Sequence, residues 1–197
     1  MINIILVRHG QTKMNLRGTN SGWTDHELTE EGIAQAYKAK EKLAGLEIDK
    51  IYASPLKRAL KTAEIINENF CKEIILDGDL RERSFGIWED MTYEEICEKY
   101  PEESAEWIKD QINYCIKEGE STVQFYNRVS GFFDSLLKKY NEGTFLIVGH
   151  LGTVMIAIAH LLGFGVEAMF RFRVDNCGIT KISVNDEGYA YLTHMNI

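Results

Sequence analysis

Four short apolar runs, Ile4–Val7, Ile51–Ala53, Ile74–Leu76 and Phe145–Val148, alternate with stretches patterned for helix, and that alternation most restricts what this chain can fold into. Continuous apolar runs of this length suit strands buried on both faces, and strands separated by helices imply a mostly parallel sheet. The helix signals lie where this scheme needs them. Thr29 precedes an acidic first turn, Glu30 and Glu31, with Lys38, Lys40 and Lys42 later and Gly45 as a stop. Ser54-Pro55 reads as an N-cap followed by proline at the first helical position, with a helix to about Asn69. Thr92 to Glu95 and Ser121 to Gln124 have capping-box spacing. From the second box, Phe125, Val129, Phe132, Phe133, Leu136 and Leu137 fall on one helix face, a core stripe. A helix over Gly152 to Leu162 follows, then a closing hairpin of Ile179–Val184 and Tyr189–Thr193. Gln11 to Leu28 reads as a loop. The expected fold is α/β: one domain over residues 1–197, a three-layer sandwich with a mostly parallel central sheet, helices on both faces, and a small helical cap at about 88–120 over the site.

A chain of 197 residues, 45% hydrophobic, can bury a large core. Its net charge of −8 argues against nucleic-acid or anionic-membrane partners, but a local arginine cluster can still hold a phosphorylated metabolite. The acidic stretch between Glu82 and Glu120 reads as a solvated helical face. Cys71, Cys97, Cys115 and Cys177 form no CxxC pair and read as reduced, mostly packed thiols of a cytoplasmic protein. No basic segment with an apolar stretch opens the chain, so no signal peptide is expected. Gly143 to Val166 carries no charged residue and is long enough to span a bilayer. Gly149, His150 and Gly152 interrupt it, so a strand and a buried helix are expected there, with no membrane partner. The oligomeric state stays open, a homodimer included.

Reactive residues stand where strands end. Arg8-His9-Gly10 follows the first run, with Asn15 soon after; Ser54 to Arg58 follows the second; Arg81-Glu82-Arg83 comes after the third; Gly149-His150 ends the fourth. In a parallel sheet these junctions share the carboxyl edge, where open α/β folds bind ligands. Arg58 would lie near a helix N-terminus, where free N–H groups and the dipole favour an anion. Phosphoryl transfer needs such a set, because it spreads negative charge over three equatorial oxygens. Arg8, Arg58 and His150 can bind those oxygens, His9 can attack in line to give a phosphohistidine, and Glu82 can protonate the leaving alkoxide and later activate water. Glu82 lies among arginines that favour its ionised form, so it can serve as an acid only if burial or the bound phosphate dianion offsets that pull.

The chain resembles the histidine phosphatase superfamily, also called phosphoglycerate mutase-like. The resemblance rests on Arg8-His9-Gly10-Gln11-Thr12 with Asn15, Leu28-Thr29-Glu30-Glu31-Gly32 with Gln35-Ala36, and Ser54-Pro55-Leu56-Lys57-Arg58-Ala59 with Thr62-Ala63. Further matches are Leu80-Arg81-Glu82 with Phe85-Gly86-Ile87-Trp88-Glu89, Gly119-Glu120-Ser121, and Val148-Gly149-His150. It implies His9 as the phosphorylated nucleophile, Arg8, Arg58, His150 and Asn15 as phosphate ligands, Glu82 as proton donor, and no metal or cofactor. Three positions depart from the family pattern: Gln11 replaces glutamate, Asp90 stands where glycine usually follows Trp-Glu, and Leu151 follows His150 where glycine is common. The segment Glu82 to Glu89 is similar to the phosphatase branch, which implies hydrolysis of α-ribazole 5′-phosphate in cobalamin biosynthesis or broad specificity. The alternatives are a cofactor-dependent phosphoglycerate mutase and a non-catalytic phosphate-binding module.

Other chemistries find less support. No P-loop string, no cysteine six positions before an arginine and no HExxH occur. Asp77-Gly78-Asp79 resembles an aspartate-nucleophile motif, which would require Mg²⁺. Each singled-out residue also has a bland account: Arg58 could pair with Glu64, Glu82 with Arg81 or Arg83, and the two site histidines could simply be hydrogen-bonded strand ends. His26, His160 and His194 read as structural, His160 as buried near a helix end. Trp88, Trp107 and Tyr114 are either pocket walls or ordinary core aromatics.

Overall fold

A computed structural model describes residues 1–197. In chain order it contains β1 (Ile2–Arg8), α1 (Lys13–Arg17), α2 (Glu30–Leu43), β2 (Lys50–Ala53), α3 (Lys57–Asn67) and β3 (Ile74–Leu76). After two 3₁₀ turns come α4 (Tyr93–Lys99), α5 (Pro101–Lys109), α6 (Thr122–Lys139), β4 (Gly143–Gly149) and α7 (Leu151–Leu161). A third 3₁₀ turn, Val166–Arg171, leads to β5 (Ile179–Val184) and β6 (Ala190–His194). The strands form one mixed sheet in the order β3-β2-β4-β1-β5-β6. The β3, β2, β4 and β1 neighbours pair in parallel, and the closing hairpin adds two antiparallel pairings at the β1 side.

Alternation along β1 divides the core. Ile2, Ile4 and Leu6 pack with Phe125, Val129, Phe133 and Leu136 of α6 and with Val154 to Ala159 of α7. Ile5 and Val7 point to the other face, against Ala36, Ala39 and Leu43 of α2 and Ala59, Ala63 and Ile66 of α3. The three-layer sandwich is therefore as expected. The parallel strands β1 and β4 are adjacent, yet α2 follows one on one face and α7 follows the other on the opposite face. That arrangement opens a crevice at their carboxyl ends. A third, smaller apolar cluster joins Trp88, Ile96 and Ile116, with Trp107 and Tyr114 packed on it.

Several local expectations need correction. Ser54 does not cap α3; the helix starts at Lys57 with Leu56 at the cap and no side-chain cap bond. The Ser54 hydroxyl accepts only the Leu56 amide, at 3.4 Å, and its shorter bond, 2.8 Å, is to the His150 ring, so the tertiary contact dominates over capping. The loop read between Gln11 and Leu28 contains α1, whose capping box is closed by Thr12 and Asn15. Five residues are too few to show helical periodicity in sequence. Only Cys177 is buried; Cys71 and Cys115 are exposed and Cys97 lies between, all as free thiols. His160 is half-buried, held by Asp134 and Tyr126 rather than enclosed. No helix is long and apolar enough to cross a membrane: the uncharged stretch is β4 followed by α7.

Candidate active site

The sheet register brings the chemistry together. Arg8 pairs with Gly149 across β1 and β4, and Ala53 pairs with Val148 across β2 and β4. The next residue on each strand is His9, Ser54 or His150. Their backbones stay in the ladder one step longer, as the His9 amide donates to the Gly149 carbonyl (2.9 Å) and the Ser54 amide to Val148 (3.0 Å). The rings of His9 and His150 consequently meet edge to face, 5.2 Å between centroids.

His9 Nδ1 lies 2.7 Å from the Gly10 carbonyl, which can only accept, so Nδ1 carries the proton and Nε2 the lone pair. Burial, then the charges of Arg58 and Arg8, hold this imidazole well below its ordinary 6.5. His150 is fully buried and is pushed down in the same way, by burial first and then by Arg58, His9 and Arg8. Both rings are therefore neutral near pH 7. His150 can still donate: with the Ser54 hydroxyl donating to Nε2, the proton sits on Nδ1, which has no protein partner.

Arg8 donates to the Val174 carbonyl (2.7 Å). Arg58, only 1% exposed, spends its terminal nitrogens on the carbonyls of Ser21 (3.1 Å), Gly22 (2.6 Å) and Thr24 (2.9 Å). The Nε atoms of both arginines are buried without a protein partner. Their charges act on His9, His150 and Glu82 alike. Arg58 does not pair with Glu64, which instead meets Lys61.

Glu82 accepts from the Arg83 amide (2.9 Å) and from the Gly152 amide (3.0 Å) in the first turn of α7. Residue 152 must be small, since a Cβ there would lie 2.4 Å from Glu82 Oε1 and 2.6 Å from the Phe125 ring. Burial raises the carboxyl above the ordinary 4.5, against the pull of those two amides, Arg58 and Arg8. Burial is therefore what offsets the pull of the arginines on Glu82. Its backbone is fixed by Arg128, which donates to the carbonyls of Asp79, Arg81 and Glu82 and pairs in bidentate fashion with Glu120 at 2.8 Å. The Glu82 carboxylate pairs with neither the Arg81 nor the Arg83 guanidinium.

A cavity of about 620 Å³ opens above this group, lined by Arg8, His9, Asn15, Glu82 and Arg83 among others. Its apolar wall is Phe85, Trp107, Phe125, Leu151, Met155, Met169 and Phe170. Arg58 and His150 are not among the residues lining the cavity; both are fully buried, the His150 ring against that of His9. Of the aromatic candidates only Trp107 reaches the wall; Trp88 and Tyr114 stack on each other, 5.9 Å apart, within the small apolar cluster. Asp77 caps the adjacent 3₁₀ turn and lies outside the cavity, which leaves the aspartate-nucleophile reading without a site.

Sequence reasoning missed four contributors. Asn176 donates to the His9 carbonyl (3.0 Å) and to Asn15 (3.2 Å), from a loop with no local signal. Arg83 is buried, is pulled down to about 10 by burial, and keeps one terminal nitrogen unpaired. Ser54 has the local pattern of a helix cap and bonds the His150 ring. Glu89 receives four backbone N–H bonds, from Gly22, Trp23, Thr24 and Phe85. The departures from the family pattern also find a place. Gln11 accepts from Thr29 through its amide oxygen, a bond that needs no charge. Asp90 adopts φ +60°, a left-handed conformation that explains why glycine suits this position, and its carboxylate compensates by bonding His26 (2.7 Å) and Ser21 (3.1 Å).

A neutral buried imidazole has a consequence for stability. Below pH 6.5 the unfolded chain takes up protons on residues 9 and 150 that the native state refuses, so stability falls with falling pH, by up to about 1.4 kcal/mol per unit for each ring. Glu82 acts in the opposite sense between 4.5 and its raised value. Urea unfolding of His150→Asn across this range should therefore show a shallower acid slope than the unsubstituted protein; an unchanged slope would show that His150 is protonated in the native state.

Comparison with known proteins points to one superfamily. The model of the histidine phosphatase superfamily (branch 1) matches residues 4–197. Phosphoserine phosphatase 1 of Hydrogenobacter thermophilus is 33% identical over 186 residues, 94% of this chain and 88% of that protein. Adenosylcobalamin/alpha-ribazole phosphatase of Escherichia coli is 31% identical over 191 residues, 97% of this chain and 94% of that protein. The crystal structure of the alpha-ribazole phosphatase from Shigella flexneri superposes with a TM-score of 0.93 at 30% identity, covering 99% of this chain and 96% of that one.

Proposed function

The chain belongs to the histidine phosphatase superfamily, branch 1, whose hydrolases act on small phosphorylated metabolites, and from that premise we propose that His9 is the nucleophile of a phosphomonoesterase. The observation that carries this reading is the Nδ1 bond to Gly10: it leaves a neutral, lone-pair Nε2 on a side chain that lines the cavity, flanked by two guanidinium groups. Nε2 attacks phosphorus in line, the P–O ester bond breaks, and the Glu82 carboxylic acid gives its proton to the departing alkoxide. Glu82, now a carboxylate, takes a proton from water; the hydroxide attacks phosphorus, the P–N bond breaks, and inorganic phosphate leaves with His9 neutral again. Arg8, Arg58, Asn15 and the neutral Nδ1–H of His150 hold the equatorial oxygens. Each such donor is worth on the order of 3 kcal/mol at the transition state.

The leaving group we assign is bulky and largely apolar, the nucleoside α-ribazole, released from α-ribazole 5′-phosphate, foremost. The seven apolar side chains of the wall support this, since the leaving group of phosphoserine would leave most of that surface uncovered. The segment 88–120 would serve as the cap, with Trp107 as its contribution to the wall. Four free cysteines are in keeping with a cytoplasmic setting.

Three measurements test the reading. Acid-labile, base-stable label from a radiolabelled ester should be trapped on quenched enzyme and be missing in His9→Ala; equal labelling of the variant would remove His9 as nucleophile. The pH profile should have an acid limb well below 6.5 from His9 and an alkaline limb from Glu82, the latter shifted upward in kcat relative to kcat/KM because the bound dianion further disfavours the carboxylate. Glu82→Gln should abolish the alkaline limb and lower turnover about 10²–10⁴-fold; persistence of that limb would assign it to another group. In a panel of phosphomonoesters, α-ribazole 5′-phosphate should exceed phosphoserine in kcat/KM by at least about tenfold, or about 1.4 kcal/mol of wall contact. The reverse order would overturn the substrate assignment, and 2-/3-phosphoglycerate interconversion outrunning phosphate release would make the protein a mutase.

A further inference from the structure

Glu89 lies outside the cavity lining, yet its carboxylate accepts more backbone hydrogen bonds than any other side chain in the structure. Oε1 takes the amides of Trp23 (2.9 Å) and Phe85 (2.9 Å), and Oε2 those of Gly22 (3.0 Å) and Thr24 (3.1 Å). The opposite side of the same loop faces Arg58, whose guanidinium binds the carbonyls of Ser21, Gly22 and Thr24. In a trans peptide the C=O and N–H point in opposite directions. The unit joining Ser21 to Gly22 therefore has its carbonyl on Arg58 and its amide on Glu89, and the unit joining Gly22 to Trp23 repeats the pattern. Two consecutive peptide planes bridge the carboxylate to the guanidinium, and both ends polarise them in the same sense. The approach is close enough that a Cβ on residue 22 would lie 2.3 Å from Glu89 Oε1.

We propose that Glu89 is a positioning residue for Arg58, acting through the Ser21–Thr24 loop. Without the carboxylate, the amide ends of these two peptide planes lose their partner, and the carbonyls that orient the guanidinium can turn away. The phosphate then meets an arginine of the right charge in the wrong orientation. Glutamine cannot substitute, because its NH₂ would face two N–H donors whichever way the amide is placed. The proposal rests on Arg58 as a phosphate ligand, so its test separates the two claims.

The experiment is a double-mutant cycle in kcat/KM for p-nitrophenyl phosphate with Glu89→Gln, Arg58→Ala and the pair, together with the affinity for inorganic phosphate as a competitive inhibitor and the melting temperature of each variant. Arg58→Ala alone should lower kcat/KM about 10²–10³-fold, as for loss of one transition-state donor. Glu89→Gln alone should cost about 10–100-fold and weaken inorganic phosphate binding, but add nothing in the Arg58→Ala background. If Arg58→Ala retains turnover and phosphate affinity, the assignment of Arg58 fails. If Arg58→Ala is impaired while Glu89→Gln is active, or its loss persists undiminished in the double variant, only the positioning role fails. Should Glu89→Gln not fold, the cycle is run with Glu89→Asp, which keeps the charge and retracts it by one methylene; failure of both to fold makes Glu89 a purely structural residue and overturns the proposal.

Discussion

The pairing of β1 with β4 is the constraint on which the rest of this molecule depends. Its register sets Arg8 opposite Gly149, and the hydrogen bond from His9 to Gly149 carries the ladder to the point where the two imidazoles face each other. A slip of one residue would turn Ile4 and Leu6 away from α6 and α7 and would separate the rings at the same time. Fold stability and site geometry are therefore specified by the same contacts. The core on both faces of β1 holds the register, and the register holds the chemistry.

Burial then sets the electrostatics. Imidazoles beside two guanidinium groups would be poor nucleophiles if they were protonated, and desolvation together with those charges keeps both neutral. The same low-dielectric surroundings raise Glu82 although the arginines act against it. A site crowded with positive charge thus holds a neutral base and a carboxyl group shifted towards its protonated form. Phosphate, which brings negative charge of its own, fits that unbalanced field.

The supports of the site are backbone groups more than side chains. Arg58 is oriented by three carbonyls, Glu82 by two amides, and Glu89 and Arg128 tie whole loops by their peptide groups. Such contacts leave little trace in residue types, because any residue offers the same N–H and C=O. This is why Asn15, Arg8 and His9 stand out in the sequence as candidates while Asn176 and the four amide bonds of Glu89 do not. Ser54 illustrates the converse: its local pattern was clear and was overridden by a partner 96 positions away.

The sequence by itself determined the layers, the strands β1 to β4 and the closing hairpin, since apolar period, capping boxes and turn residues are local and agree with one another. It also marked His9, Arg58, Glu82 and His150 as candidates, because reactive side chains recur at junctions that a parallel sheet gathers along one edge. Only the tertiary structure decided that Arg58 and His150 are fully buried and absent from the cavity lining, that Trp88 packs inside while Trp107 faces the pocket, and which nitrogen of His9 keeps its lone pair. Those outcomes depend on distances between segments far apart in the chain, and long-range geometry is set by packing the whole core at once.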